Sequence, residues 1–391
     1  MVGWKPMKAA DLINFNPHES IPKSAMAKKV AMEQLQPFTM NIPSYEIALF
    51  NGGSKFRNGD TLMARITPCL ENGKTAQVNI LEENEIGFGS TEFIVLRAKP
   101  GISDKDFIYY LAISPLLRDK AIKSMVGSSG RQRVQQGVLN DIELFVPPLE
   151  EQIEIGRTLR AFDDKIANNT VVNHHLEQMA QAIFKSWFVD FEPWDNIMPE
   201  DWREGTLSNI ANVIMGQSPD GSSYNEDGIG TVFYQGRAEF GSRFPTRRLF
   251  TTQPNRMAVK GDVLMSVRAP VGDLNVAFES CCLGRGLASI QSNSKCQAFI
   301  LYTMFALKQQ METFNGEGTV FGSINKDDLA NLPVLIPTDN VIRQFEELVH
   351  PMDKAIEANY AESCNLQATR DSLLPRLMSG ELSVSDIDPD K

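Results

Sequence analysis

The chain contains a diverged copy of itself, and this repeat constrains its fold more than any other feature. Asn58-Gly59-Asp60-Thr61-Leu62-Met63-Ala64-Arg65-Ile66-Thr67-Pro68 is answered by Lys260-Gly261-Asp262-Val263-Leu264-Met265-Ser266-Val267-Arg268-Ala269-Pro270. Each copy reads as a Gly-Asp turn feeding a buried strand, with Arg65 and Arg268 in matching positions ahead of a proline. Further on, Leu144-Phe145-Val146-Pro147 is matched by Val334-Leu335-Ile336-Pro337, a short apolar strand stopped by proline. The offset between copies is 202 at the Gly-Asp turn and 190 after the second motif. Loops therefore differ between the two domains, while the helical stretches that follow them match.

Those stretches carry the sharpest periodicity. Leu159, Phe162, Ile166, Asn169, Asn173, Leu176, Ala180, Ile183 and Trp187 are spaced alternately three and four apart. Val349, Met352, Ile356, Asn359, Ser363, Leu366, Arg370, Leu373 and Leu377 repeat that spacing. This is the seam of a coiled coil. Its polar middle, Asn169 and Asn173 against Asn359 and Ser363, costs stability and fixes register. Two amphipathic helices packed on separate domains would not explain the matched interruptions. The first helix is expected over 149–190, which is about 63 Å at the helical rise. The second is expected to kink or stop near Leu374-Pro375. Chain order requires the second helix to run back along the first. The expected segments are a domain at 1–148, a helix at 149–192, a domain at 199–337, a helix at 338–380 and a tail at 381–391.

Composition sets the class. With 391 residues, 42% of them hydrophobic, the chain can bury several cores. No apolar run is long enough to span a membrane, and the amino terminus lacks a secretory pattern, so a cytoplasmic protein is expected. The five cysteines show no metal or disulfide spacing. The net charge of −11 argues against nucleic acid, but the excess acid is confined. Residues 149–200 and 338–391 are each −6, while 1–148 is +2 and 201–337 is −1. A DNA face must come from local clustering, with a partner supplying part of the positive surface.

Two unlike domains related by a two-fold axis and separated by a rigid spacer suit two half-sites on one face of a duplex, where successive turns of a groove lie about 34 Å apart. The same geometry suits a two-headed protein binder. Further motifs decide between them. Val146-Pro147-Pro148-Leu149-Glu150-Glu151-Gln152-Ile153 and Ile183-Phe184-Lys185-Ser186-Trp187-Phe188-Val189-Asp190-Phe191 resemble the entry and exit of the first conserved helix of type I restriction-modification specificity subunits. Pro199-Glu200-Asp201-Trp202 resembles the start of that family's second recognition domain, which Trp4 can match in the first. Leu373-Leu374-Pro375-Arg376-Leu377-Met378-Ser379-Gly380-Glu381-Leu382 resembles its closing segment.

The resemblance implies an α+β fold: two pseudo-symmetric α/β target-recognition domains separated by two long antiparallel helices forming a coiled coil. The seam would include Leu159, Phe162, Ile166, Asn169, Leu176, Ile183, Met352, Ile356, Asn359, Leu366 and Leu373. It implies a non-catalytic subunit that binds double-stranded DNA at a bipartite, asymmetric target. Two modification (methyltransferase) subunits would use S-adenosylmethionine to methylate adenine. Restriction (endonuclease/translocase) subunits would use ATP and Mg to cleave. This chain would itself hold no cofactor.

Candidate DNA contacts follow from residue chemistry, since Arg can clamp guanine and Gln can pair with adenine. The clearest cluster is Gly127-Ser128-Ser129-Gly130-Arg131-Gln132-Arg133-Val134-Gln135-Gln136. Its counterpart, Asn315-Gly316-Glu317-Gly318-Thr319-Val320-Phe321-Gly322-Ser323, has no cation. In the second half the candidates are Gln217, Ser218, Tyr234, Gln235, Arg237, Arg243, Arg247 and Arg248. Lys55 and Arg57 are similar candidates in the first, and each cluster also reads as a solvated loop or charge run. His174 and His175 are adjacent on a helix and face different ways, which suits surface residues better than a metal pair.

Nucleotide loops, a Rossmann fingerprint, a methyltransferase tetrad and H-E-x-x-H are all absent from the sequence, and Gly87-Phe88-Gly89-Ser90 is too short to signify a cofactor loop. Two alternatives stay open at this level: a methyltransferase or nuclease with an unfamiliar site, and an adaptor that joins two proteins through the coiled coil.

Overall fold

The computed structural model describes residues 3–128, 130–315 and 322–386. The chain divides into two compact units, one comprising 1–170 and 360–391 and the other 171–359. Two long helices, Leu149–Phe188 and Asp339–Ser379, each begin in one unit and end in the other.

In the first unit, strand Lys5–Lys8 pairs antiparallel with Glu143–Val146, immediately before the first long helix. One antiparallel sheet has the order Ile13–Phe15, Phe93–Ala98, Thr61–Ala64, Thr75–Gln77. A second has the order Glu46–Leu49, Met26–Val30, Gly87–Gly89, Ser54–Phe56, with its central pair parallel. Helix Lys105–Ile113 starts where Asp104 accepts from the amides of Asp106 and Phe107. Its residues Phe107 to Ala112 are all buried. A helix buried on every side lies between other layers, here in one core with Leu159, Leu374, Leu377 and Met378 of the long helices.

The second unit repeats this plan. Arg203–Thr206 pairs with Pro333–Ile336 before the second long helix, so Trp4 and Trp202 do precede equivalent strands. Its sheets have the orders Ala211–Met215, Leu287–Ser292, Val263–Ser266, Leu274–Val276, and Tyr224–Asn225, Leu249–Thr251, Thr231–Tyr234, Cys281–Leu283, Met257–Ala258. The second of these again has a parallel central pair, and it has one additional edge strand. The Gly-Asp turns do the same job in both halves. Asp60 accepts from the Arg57 amide and binds Arg97, while Asp262 accepts from the Val259 amide and binds Gln291.

The long helices run antiparallel within each unit. In the first, Asn169 Nδ2 donates to Ser363 Oγ at 3.2 Å and Lys165 meets Glu362 at 3.1 Å, while Asp163 pairs with Arg370 further along. In the second, Asn359 Nδ2 donates to Asn173 Oδ1 at 2.8 Å, and Phe188 stacks on Phe345 with centroids 5.2 Å apart. The polar middle expected from spacing is therefore made of paired side chains. Leu159, Asn169 and Ile356 are buried. Phe162, Ile166, Leu176, Ile183, Met352, Asn359, Leu366 and Leu373 are partly buried, as seam positions require. The exit motif uses its aromatics in the second unit, where Phe188 also meets Phe299 at 5.2 Å and Trp202 at 5.7 Å.

Two expectations need correction. Pro375 does not stop the second helix, which continues to Ser379. The cost of one missing amide bond is offset by burying Leu374, Leu377 and Met378 in the first unit's core. The first helix ends at Phe188, two residues short of the expected end.

Candidate nucleic-acid interface

In the first unit, strand Ser54–Phe56 buries Phe56 and turns Lys55 outward, its Nζ 5.4 Å from the Phe50 ring centre. Gly53 precedes it at φ 110°, where a Cβ would sit 2.0 Å from the Gly89 carbonyl oxygen, so only glycine fits. Lys55 lines a cleft of about 240 Å³ with Asn16, His18, Glu19 and Ser54. Arg57 donates to both Glu19 oxygens at 2.6 and 2.9 Å. Arg97 bridges the same carboxylate and Asp60. Arg57 first, with Arg97, holds the Glu19 carboxyl below its ordinary range.

The Gly-Ser-Arg loop closes as a hairpin through reciprocal amide bonds between Val126 and Arg133. Its side chains reach the same region. Asn16, from the cleft, donates to Gln136 Oε1 at 2.8 Å. Arg133 donates through Nε and Nη2 to Glu92, with Arg65 Nε at 3.9 Å from that carboxylate. Arg133 holds Glu92 below the usual carboxylate range. Arg131 and Ser128 are exposed, Gln132 is half-buried, and the Gln135 side chain folds back on the Arg133 carbonyl at 3.4 Å. Ser129 lies outside the described residues. Glu19 thus holds Arg57 at the cleft that Lys55 lines, Asn16 ties Gln136 to that cleft, and Glu92 holds Arg133, partners that no charge cluster in the sequence marks.

The second unit divides its candidates differently. Tyr234 is 1% exposed and sits in the core, so it cannot reach a duplex. Arg243 is 6% exposed, binds Asp353 at 2.5 Å and stacks over Tyr302, so it too is no DNA contact. The aromatic-cation interleaving expected to grip DNA instead builds part of the interior. Arg237 pairs with Asp273 at 2.5 Å, Arg248 with Glu239 at 2.5 Å, and Arg247 with Glu279. These three remain exposed.

Backbone bonds gather Gln217, Ser218 and Gln235 around one glycine link. The Gln217 amide donates to Leu283, the Gly284 amide to Tyr234, and the Arg285 amide to Ser218 Oγ. Arg285, which sequence reasoning missed, projects from this link exposed, with no ion pair among the described residues. The only signal was an arginine between Gly284 and Gly286.

The Val267 amide donates to the Gly286 carbonyl, which places Arg268 beside the same link. Arg268 is exposed and bridged to Ser323, while Gly316 to Phe321 lie outside the described residues. Arg65 and Arg268 are not equivalent, contrary to expectation. Arg65 accepts from Val134 as Val267 accepts from Ile324, and Ile66 bridges Arg133 as Arg268 bridges Ser323. One residue of slip on a strand reverses the face, so Arg65 turns toward Glu92 and Arg268 toward solvent.

His174 and His175 are both exposed, and no group of three metal-binding side chains is placed to hold an ion among the described residues. No helix among them is long and apolar enough to cross a membrane.

Comparison with known proteins agrees with this geometry. Residues 1–178 and 199–361 match the type I restriction modification DNA specificity domain. The chain is 33% identical over 348 residues to the type I restriction enzyme MjaX specificity subunit of Methanocaldococcus jannaschii, covering 83% of this chain and 79% of that protein. It is 22% identical over 403 residues to the HindI specificity subunit of Haemophilus influenzae, covering 83% and 87%. The type I restriction-modification S subunit from M. genitalium shares the fold, with TM-score 0.60, 17% identity and 96% of each chain covered. With the repeated α/β units, the antiparallel helix pair and this match over both halves, the chain belongs to the type I restriction-modification DNA specificity family, the non-catalytic recognition subunits of those systems.

Proposed function

We propose that each unit reads one half of a bipartite, asymmetric DNA target, and that the helix pair sets the gap between the halves. The observation that carries this is one fold built twice with unlike polar surfaces. The first unit presents Lys55 in the Asn16 cleft, Arg57 on that cleft's Glu19, and Arg131, Gln132 and Arg133 ahead of Gln136, which accepts from Asn16. The second presents Gln217, Gln235, Arg268 and Arg285 around a glycine link. Arginine and glutamine at such positions read guanine and adenine edges, and two different sets read two different half-sites.

Most first-unit arginines are held by carboxylates before DNA arrives. Phosphates or base edges would replace Glu19 and Glu92 as partners of Arg57 and Arg133, so part of the DNA attraction is consumed in the exchange. That suits a chain of net charge −11 which must reject most sequences.

The acidic long helices would dock two modification subunits carrying S-adenosylmethionine, with restriction subunits supplying ATP- and Mg-dependent cleavage in the cytoplasm. This chain contributes recognition only. The test is co-expression with its modification subunit and genome-wide mapping of methylated adenines. One split motif with two unlike halves is expected. A contiguous motif, or methylation without sequence preference, would overturn the reading.

A further inference from the structure

We propose that two tyrosine–aspartate–arginine clamps, Tyr110–Asp163–Arg370, which is buried, and Tyr302–Asp353–Arg243, whose aspartate is partly buried, fix the angle of each recognition domain on its helix segment and thereby the gap that is read. This rests on the recognition reading above and adds positioning residues to it.

In the first unit, Tyr110 lies on helix Lys105–Ile113 of the recognition domain and donates to Asp163 Oδ2 at 2.5 Å. Asp163 belongs to the first long helix, and Arg370 of the second binds its other oxygen. One carboxylate thus ties together three elements, with Asp163 6% and Arg370 3% exposed. In the second unit, Tyr302 of helix Gln297–Ala306 donates to Asp353 Oδ1 at 2.7 Å. Arg243 donates to the same oxygen at 2.5 Å and has Glu177 at 3.9 Å. The aspartates are 190 residues apart, which is the repeat offset of the helices.

The arginines arrive by different routes. At the helix offset, Arg370 corresponds to Ala180, which is buried and carries no charge. The second unit instead supplies its cation from Arg243, in a loop of the recognition domain. Two unlike routes to one charge arrangement mean that the arrangement itself is what the joint uses. Stability does not demand it. Burial pushes the Asp163 and Asp353 carboxyls up against the pull of their arginines, and apolar residues of similar volume hold buried joints at least as well. What apolar packing lacks is direction. A carboxylate that accepts from both a phenol and a guanidinium, each held by its own element, admits one relative orientation of domain and helix, as polar seam residues admit one register. A drift of about one base-pair rise, roughly 3.4 Å, suffices to change the gap that is read.

The experiment uses the full chain assembled with its modification subunits, and duplexes carrying the mapped half-sites at the native gap and one base pair either side. The readout is the ratio of methylation kcat/KM between native and altered gaps. Tyr110→Phe, Tyr302→Phe and the double variant Asp163→Leu with Arg370→Met are compared by this ratio and by thermal unfolding. The gap ratio is expected to fall at least tenfold in each, with the double variant unfolding no earlier than wild type, and Arg370→Lys is expected to recover part of the ratio. Retention of the full ratio in any variant that folds and assembles overturns the proposal. A wild-type complex with no split motif would instead defeat the recognition reading.

Discussion

Glu92 receives both Nε and Nη2 of Arg133, at 3.0 and 2.6 Å, across 41 residues of chain. The carboxylate that restrains the most promising loop arginine therefore comes from the turn before strand Phe93–Ala98. Restraint of this kind lowers affinity for any duplex and leaves selectivity to whatever can replace the carboxylate. Glu92→Gln should raise non-specific DNA affinity several-fold and steepen the dependence of log K on log salt by about 0.9, the increment for neutralising one more phosphate. Binding titrations of the assembled complex across salt concentrations check this, and an unchanged slope would remove Arg133 from the interface.

At the glycine link of the second unit, Arg268 and Arg285 are exposed and have no ion pair among the described residues. If each meets a base edge, its change to Ala should cost about 1–3 kcal/mol and relax one position of the second half-site alone. If each meets phosphate, affinity should fall evenly across sequences and the salt slope should decrease. Methylation mapping of the two variants separates these outcomes, and a loss confined to the first half-site would contradict the assignment.

The repeat, the strand-proline exits and the helical seam were legible because period and punctuation are local properties of a chain. The partners of charged side chains were not. Glu19 lies 38 residues from Arg57, and Asp353 lies 110 from Arg243. Arginine beside aromatics looks the same in sequence whether it faces phosphate or a buried carboxylate, which is why Tyr234 and Arg243 read as DNA contacts. Arg285 escaped for the opposite reason. It stands alone between glycines, and a search for charge clusters passes over it. Arg65 and Arg268 were aligned by residue type across a one-residue difference, which on a strand is the difference between the two faces.

Acid should weaken the first unit through the same carboxylates. Glu19 and Glu92 have folded pKa values below their ordinary range, held there chiefly by Arg57 and Arg133. Their contribution is fully present above the unfolded glutamate pKa of about 4.3 and is lost as pH falls through the folded values. Glu19→Gln should therefore lower stability near neutral pH and flatten the acid limb of a denaturation-versus-pH curve. An acid limb identical to wild type would show that these bridges do not contribute to folding.

The polar middle of the seam should cost stability. Asn173 and Asn359 face each other at 2.8 Å within the second unit. Replacing both with Leu should raise the unfolding midpoint, since a seam asparagine pair trades stability for register. The same variant should broaden the range of gaps that are methylated. A lower midpoint would mean that the pair stabilises the helices outright.

The ruler itself is tested by removing one heptad from each helix, residues 170–176 and 356–362. The deletions start beside the Asn169–Ser363 pairing of the first unit and take out the Asn173–Asn359 pairing of the second. Seven residues are two turns, so the remaining seam positions keep their faces, and Asn169 still meets Ser363. The deletion shortens each helix by about 10.5 Å at the helical rise, roughly three base pairs of duplex at about 3.4 Å each. DNA turns as it advances, with one full turn in about 10.5 base pairs, so a gap shortened by three would also rotate one half-site by roughly 100° around the duplex. Translation favours losing three base pairs and rotation favours losing none. The gap in the mapped motif should shorten by between one and three base pairs, with both half-sites unchanged in sequence. A complex that keeps the original gap after losing both heptads would show that the helices do not set it.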